Sequence, residues 1–217
     1  MKVNAYNDLV ILKPREDLEQ AWASSTIVMP DSAMIGPDTL EPGYASDHTA
    51  IAEVHRMPEE YSSVDLKVGD GVLLPLFNGS KVIFIDREPY LAVKRRGIAA
   101  RVENLGLPSE KITALNGYIL TRRDRDAFER LMHGGLPFPD EFLDSGMPCD
   151  AGDSIVRMVL ERIVSTGTAF LSPTLQRPKQ RVGDLALLNP IAACKFRRFG
   201  QVYRLTPEGH VSLTIEE

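Results

Sequence analysis

An internal repeat constrains this chain most, because it says how many structural units the sequence must supply. At a shift of 109 residues, Asn7-Asp8-Leu9-Val10-Ile11-Leu12-Lys13 falls on Asn116-Gly117-Tyr118-Ile119-Leu120-Thr121-Arg122. The same shift carries Asp17 onto Asp126, Pro30-Asp31 onto Pro139-Asp140, Ala50-Ile51 onto Val159-Leu160, and Val54 onto Ile163. At a shift of 114, Val68-Gly69-Asp70-Gly71-Val72-Leu73-Leu74 meets Val182-Gly183-Asp184-Leu185-Ala186-Leu187-Leu188, and Lys81 meets Lys195. The segment between Val54 and Val68 is therefore five residues longer in its second occurrence. At a shift of 113, Tyr90 aligns with Tyr203, and Ile98, Ala100 and Val102 align with Val211, Leu213 and Ile215. Identity is low, so the weight rests on order, spacing and apolar alternation along both copies. Glycine and proline punctuate Asn104-Leu105-Gly106-Leu107-Pro108-Ser109. The expected division is a domain over 1–106, a linker over 107–114 and a divergent second domain over 115–217, each of ordinary small-domain size.

Within each copy the apolar runs are short and rich in strand formers. Leu9-Val10-Ile11-Leu12 stops at Pro14, and Ile51–Val54, Gly71–Pro75, Lys81–Ile85 and Tyr90–Val93 follow. Asn78-Gly79 and Asp86-Arg87-Glu88-Pro89 supply turn chemistry, and Ile98–Val102 alternates with period two. Many short strands without long helical stretches predict an all-β chain of small barrels or sandwiches. Two stretches depart from that pattern. Leu18, Ala21 and Trp22, and their counterparts Ala127, Phe128, Leu131 and Met132, have helical spacing inside long connections. Trp22 is read as part of a local core. Connections of this length in a compact domain are usually functional or disordered.

Several function classes recede. A net charge of −5 with only short basic clusters (Lys94-Arg95-Arg96, Arg122-Arg123, Arg197-Arg198) gives no footprint for nucleic acid. No run of about 18 apolar residues exists for a membrane-spanning helix, and MKVNAYNDLVILKP carries no secretory signal pattern. Two cysteines, Cys149 and Cys194, do not make a disulfide framework, so a cytoplasmic protein with free thiols is expected. His48, His55, His133 and His210 form no H-E-x-x-H pattern, and neither a P-loop nor a G-x-S-x-G elbow occurs. Asp70 and Asp184 recur in both copies, but a Gly-Asp step before a strand reads as turn chemistry. The expectation is a non-enzyme with no catalytic residues, no metal site and no cofactor.

Asp8-Leu9-Val10-Ile11-Leu12-Lys13 resembles the opening strand of the GroES (chaperonin-10) co-chaperonins. Ser25-Thr26-Ile27-Val28-Met29 is similar to the apolar tripeptide that this family carries in a long polar loop. Ala52-Glu53-Val54, Lys67-Val68-Gly69-Asp70-Gly71-Val72 and the strand Ile98–Glu103 match the family's later strands in order. The resemblance covers the first copy, and the internal alignment extends it to the second. It implies two tandem GroES-like small β-barrels, each with a long mobile loop. The segment from Val54 to Val68 is too short for the hairpin that roofs bacterial members. In that respect the chain resembles bacteriophage-encoded co-chaperonins, and its two-domain layout resembles the chloroplast type. A phage-encoded member would work in the host cytoplasm.

The resemblance further implies a GroEL-type chaperonin ring as partner and a ring-forming homo-oligomer of the chain itself. Ile27, Val28 and Met29 are then the anchors of the first loop, with Ser24, Ser25 and Thr26 as its polar hinge. In the second, Gly134-Gly135 is the hinge, and Leu136 and Phe138 flank Pro137, which cannot donate a backbone hydrogen bond. Each buried anchor contributes about 1.5–3 kcal/mol, opposed by about 1–2 kcal/mol per residue ordered. One loop thus binds weakly, and several loops on a ring bind firmly through effective concentration. One alternative stays open, an assembly protein built on the same barrels without chaperonin binding. The medium-chain alcohol dehydrogenases share the barrel but need a dinucleotide-binding G-x-G-x-x-G that is absent here, so the fold likeness carries no such activity.

Overall fold

Short aliphatic strands have one way to satisfy their backbone polar groups, which is to pair with one another. The computed structural model describes residues 8–15, 49–58, 65–75, 81–132, 147–150, 155–167, 180–189, 193–198 and 201–216. These residues are all-β apart from one α-helix and two 3₁₀ turns. The first sheet contains β1 (Leu9–Pro14), β2 (Thr49–Arg56), β3 (Gly71–Pro75), β4 (Lys81–Ile85), β5 (Glu88–Lys94), β6 (Ala100–Glu103) and β7 (Lys111–Ala114). Its antiparallel path runs β4-β5-β1-β2-β3-β6-β7. The second half contributes β8 (Tyr118–Arg123), α1 (Arg125–Met132), β9 (Met147–Asp150), β10 (Ile155–Thr166), β11 (Leu185–Leu188), β12 (Cys194–Arg198), β13 (Gln201–Pro207) and β14 (Val211–Ile215). Its path runs β12-β13-β8-β10-β11-β14, with β9 paired on β10. No helix among the described residues is long and apolar enough to cross a membrane.

The two sheets have the same strand order, and their registers correspond residue by residue. Val10 faces Val93 as Ile119 faces Thr206, and Ile51 faces Leu73 as Leu160 faces Leu187. Val72 faces Arg101 as Ala186 faces Thr214. Even the register irregularity where Leu12 meets Val54 recurs where Thr121 meets Ile163. One match from the sequence alignment moves. Lys81 faces Ala92 as Cys194 faces Leu205, so Lys81 corresponds to Cys194 and not to Lys195. The shift of 113 therefore already holds at β4, because pairing fixes the register where a lone shared lysine does not.

The Val-Gly-Asp steps are turns of identical construction. The Lys67 N–H donates to Asp70 Oδ2 at 2.8 Å, and the Arg181 N–H donates to Asp184 Oδ2 at 3.2 Å. Gly69 and Gly183 stand at φ +91° and +103°, where a side chain would be strained. Each turn then exchanges backbone bonds with the bulged strand opposite, at Val54 and Ile163.

The core is not divided at the middle of the chain. Ile51, Leu73, Ala100 and Val102 of the first sheet share one buried cluster with Leu120, Phe196 and Leu205 of the second. Lys111–Ala114, within the segment read as a linker, forms β7 and closes the edge of β6. The Ala114 N–H donates to Ser165 Oγ at 3.0 Å, and the Gly167 N–H donates to the Tyr118 carbonyl at 2.8 Å. A Cβ on Gly167 would lie 2.6 Å from the Leu115 carbonyl carbon, so the backbones approach as closely as glycine permits.

Candidate functional site

The two long connections leave the sheets at equivalent points. In the first half the chain departs after Pro14 and re-enters at Thr49, on neighbouring antiparallel strands. The two roots of the 16–48 connection are therefore held side by side. The Arg15 N–H donates to the Ile51 carbonyl at 2.9 Å, and Arg15 Nη1 donates to Glu53 Oε2 at 3.2 Å. In the second half the chain departs after Arg123, and Asp124 caps α1 by accepting the Ala127 N–H at Oδ1, 3.0 Å. Arg162 Nε donates to Asp124 Oδ2 at 2.6 Å, and Arg162 Nη1 donates to the Gly183 carbonyl at 2.8 Å. Partial burial pushes the Asp124 carboxyl up, but the Ala127 N–H and Arg162 outweigh it and hold the group below its ordinary value. The helical spacing read over Asp124–Met132 is borne out as α1, stiffened by the Arg125–Glu129 ion pair one turn apart.

Both roots are thus clamped by an ion pair at corresponding positions, with the charges exchanged. Arg15 and Glu53 hold the first, and Asp124 and Arg162 hold the second. Reasoning from sequence missed this clamp. The signal was present in the alignment as two columns of opposite sign, but their pairing needs the β1–β2 and β8–β10 registers to be seen.

The sequence-derived anchors Ile27, Val28, Met29, Leu136 and Phe138 lie outside the described residues. So do the hinge residues Ser24, Ser25, Thr26, Gly134 and Gly135, and the stretch containing Leu18, Ala21 and Trp22. The structure places only the elements that flank them, β1 and β2 around the first stretch and α1 and β9 around the second. Of the polar groups considered for chemistry, Asp70 and Asp184 serve turns, and His55 packs against Tyr90 with ring centroids 4.8 Å apart. Burial pushes the Cys194 thiol up to about 11, which keeps it protonated and unreactive. No group of three potential metal ligands occurs among the described residues.

One polar constellation is buried deep in the second sheet. Glu161 and Arg204 form an ion pair with side chains 2% and 1% exposed, and Thr121 Oγ1 donates to Glu161 Oε2 at 2.7 Å. The corresponding residues in the first sheet are Leu12, Ala52 and Leu91, an apolar layer. A charged pair sealed from solvent and satisfied by its neighbours is a structural element, since no ligand can reach it.

Antiparallel sheets with clamped roots for a long connection after the first strand define an all-β protein of the GroES-like fold. No family model matches the chain. It is 32% identical over 103 residues to the co-chaperonin GroES of Fervidobacterium nodosum, covering 48% of this chain and 99% of that relative. It is 32% identical over 104 residues to the co-chaperonin GroES of Petrotoga mobilis, covering 48% of this chain and all of that relative. A third match, to the co-chaperonin GroES of Pseudothermotoga lettingae, is 30% identical over 103 residues. The chain belongs to the GroES co-chaperonin family.

Proposed function

We propose that this protein is a tandem co-chaperonin that caps a GroEL-type chaperonin ring and so assists ATP-dependent protein folding, without enzymatic activity or cofactor of its own. The observation that carries the reading is that relatives named as co-chaperonins match over essentially their whole length within half of this chain. The register-for-register correspondence of the two sheets supports two copies of that unit, divided near 107–114. In this reading the 16–48 connection carries the docking anchors Ile27, Val28 and Met29 with the hinge Ser24–Thr26, and Leu136 and Phe138 behind Gly134-Gly135 form a second, weaker contact. The clamped roots support this assignment, because they let a connection be long without loosening the sheet beneath. Chains assemble with one another so that many loops engage the ring together, as weak single contacts require.

Limited proteolysis tests the reading. A protease of broad specificity is expected to cut within Ala21–Ser25 in the free protein, and saturating chaperonin with nucleotide is expected to protect that stretch. Ile27→Ser/Val28→Ser/Met29→Ser is expected to abolish protection while leaving the thermal transition in place. Cleavage unaffected by saturating chaperonin would sink the capping function and leave the assembly-protein alternative.

A further inference from the structure

β4 is the outer strand of the first sheet, and among the described residues no strand pairs with its free side. Val82 is 61% and Phe84 68% exposed there, two positions apart and so on one face of the strand. That face continues an apolar layer, because Val82 stands opposite Leu91 and Leu91 opposite Leu12. The second sheet fills the same places differently. β12 is the counterpart of β4, and Lys195 and Arg197 occupy the positions of Val82 and Phe84. Charged residues, lysine above all, keep an edge strand from pairing with another chain. The second edge carries that protection and the first does not, although both sheets run through the same strand order.

We infer that β4 pairs with β4 of a second copy of this chain, antiparallel and across a two-fold axis at Ile83. In that register Val82 of each copy stands opposite Phe84 of the other, so a β-branched residue meets an aromatic one on both sides of the axis. The apolar row Leu91–Val82 then runs on into Phe84–Pro89 of the other copy. Centring on Phe84 would set Lys81 against Arg87, two like charges, and centring on Val82 would carry Phe84 past Lys81, where the strand begins. The Ile83 register also brings each Lys81 to the end of the other hairpin, where Asp86, Arg87 and Glu88 together carry a net negative charge.

The backbone agrees. Asp86 and Arg87, at φ +50° and +70°, form a two-residue turn closed by the Ile85–Glu88 pair. A hydrogen-bonded pair closes such a turn, and bonded and non-bonded pairs alternate from there. Lys81, Ile83 and Ile85 thus bond inward to β5, while Pro89, which has no N–H to give, stands opposite Phe84 at a non-bonded position. The N–H and C=O groups of Val82 and Phe84 point to the free edge. The Ile83 register sets these residues opposite each other, where each pair exchanges both of its hydrogen bonds. The contact is isologous and closes at two partners, and its size places it among the small, reversible interfaces. It uses none of the docking residues, so it stands or falls apart from capping.

A single-cysteine trap tests the axis. In a Cys149→Ser/Cys194→Ala background, Ile83→Cys sets two thiols opposite each other at a non-hydrogen-bonded position, a spacing a disulfide spans. Oxidation is expected to give a covalent dimer and no larger species on a non-reducing gel. Lys81→Cys in the same background, whose own counterpart lies well away along the strand, is expected to link at least about tenfold less. Val82→Lys/Phe84→Arg gives β4 the residues of β12 at two exposed positions. It is expected to lower the mass of the assembled species about twofold in sedimentation without moving the melting transition. No dimer from Ile83→Cys, equal linkage from Lys81→Cys, or an unchanged mass would overturn the inference. An unchanged mass with weakened chaperonin protection of Ala21–Ser25 would give the face to the chaperonin and overturn it too. A linked dimer whose Ala21–Ser25 stretch gains no protection would uphold the joint and reject capping.

Discussion

Replacing Arg204 with methionine is expected to destabilise the second sheet far more than the loss of one contact suggests. The guanidinium is 1% exposed and its partner Glu161 is 2% exposed, so the substitution strands a carboxylate where water cannot reach it. Removing one member of such a pair costs about 3–5 kcal/mol. Thr121 still donates to Glu161 and softens the loss by about 1 kcal/mol at most. Replacing all three groups at once, as Thr121→Val/Glu161→Leu/Arg204→Met, removes both charges and their desolvation together. That variant is expected to fall between neutral and about 1–4 kcal/mol more stable than the starting protein. The first sheet already fills the same layer with Leu12, Ala52 and Leu91. Urea denaturation measures the difference without the screening that guanidinium would add, and the midpoint should fall in the single variant and recover in the triple. A single variant within about 1 kcal/mol of the original, or a triple variant as unstable as the single, would refute the account of a sealed charge pair.

The same geometry sets four other outcomes. Asp124 is held below its ordinary value in the folded protein, so its contribution is present above about pH 4 and is lost as pH falls through the folded value. Asp124→Asn should flatten the acid limb of stability measured by urea midpoints across pH, and an unchanged limb would contradict the clamp. Gly167→Ala should cost about 1–3 kcal/mol and loosen the joint between sheets, since the added carbon meets the Leu115 backbone; hydrogen exchange at Ala114 reads this out. Arg87 stands at φ +70° beside Asp86 at +50° in the two-residue turn between β4 and β5. Arg87→Gly should therefore raise the melting transition, by about 0.5–1 kcal/mol of stability. With its thiol pushed up to about 11, Cys194 in a Cys149→Ser background should react with a thiol reagent at pH 8 much more slowly folded than in urea; equal rates would contradict its burial.

Much of this architecture was legible in the sequence because it depends on local chemistry. Strand-forming runs, the Val-Gly-Asp turns, the helix after Asp124 and the order of the repeat come from neighbours in the chain and from period-two alternation. The resemblance of Asp8–Lys13 and Lys67–Val72 to the GroES co-chaperonins rests on the same local signals, and the relatives agree with it. The candidate docking residues were legible only as an apolar tripeptide in a polar stretch, a signal that says what a segment would bury and not where.

The tertiary structure alone decided what depends on distant partners. Nothing near Lys111 in sequence tells that residues 111–114 complete the sheet before them, because a strand's neighbour is chosen by register and burial across the fold. A glutamate and an arginine 43 residues apart read as surface charges until β8 lies between their strands and closes over them. The exchanged charges of Arg15–Glu53 and Asp124–Arg162 became a clamp only when antiparallel pairing set each pair side by side. The repeat determined that there are two sheets of one design. Their shared core came from how the two pack, which is a property of surfaces that no single stretch of sequence contains.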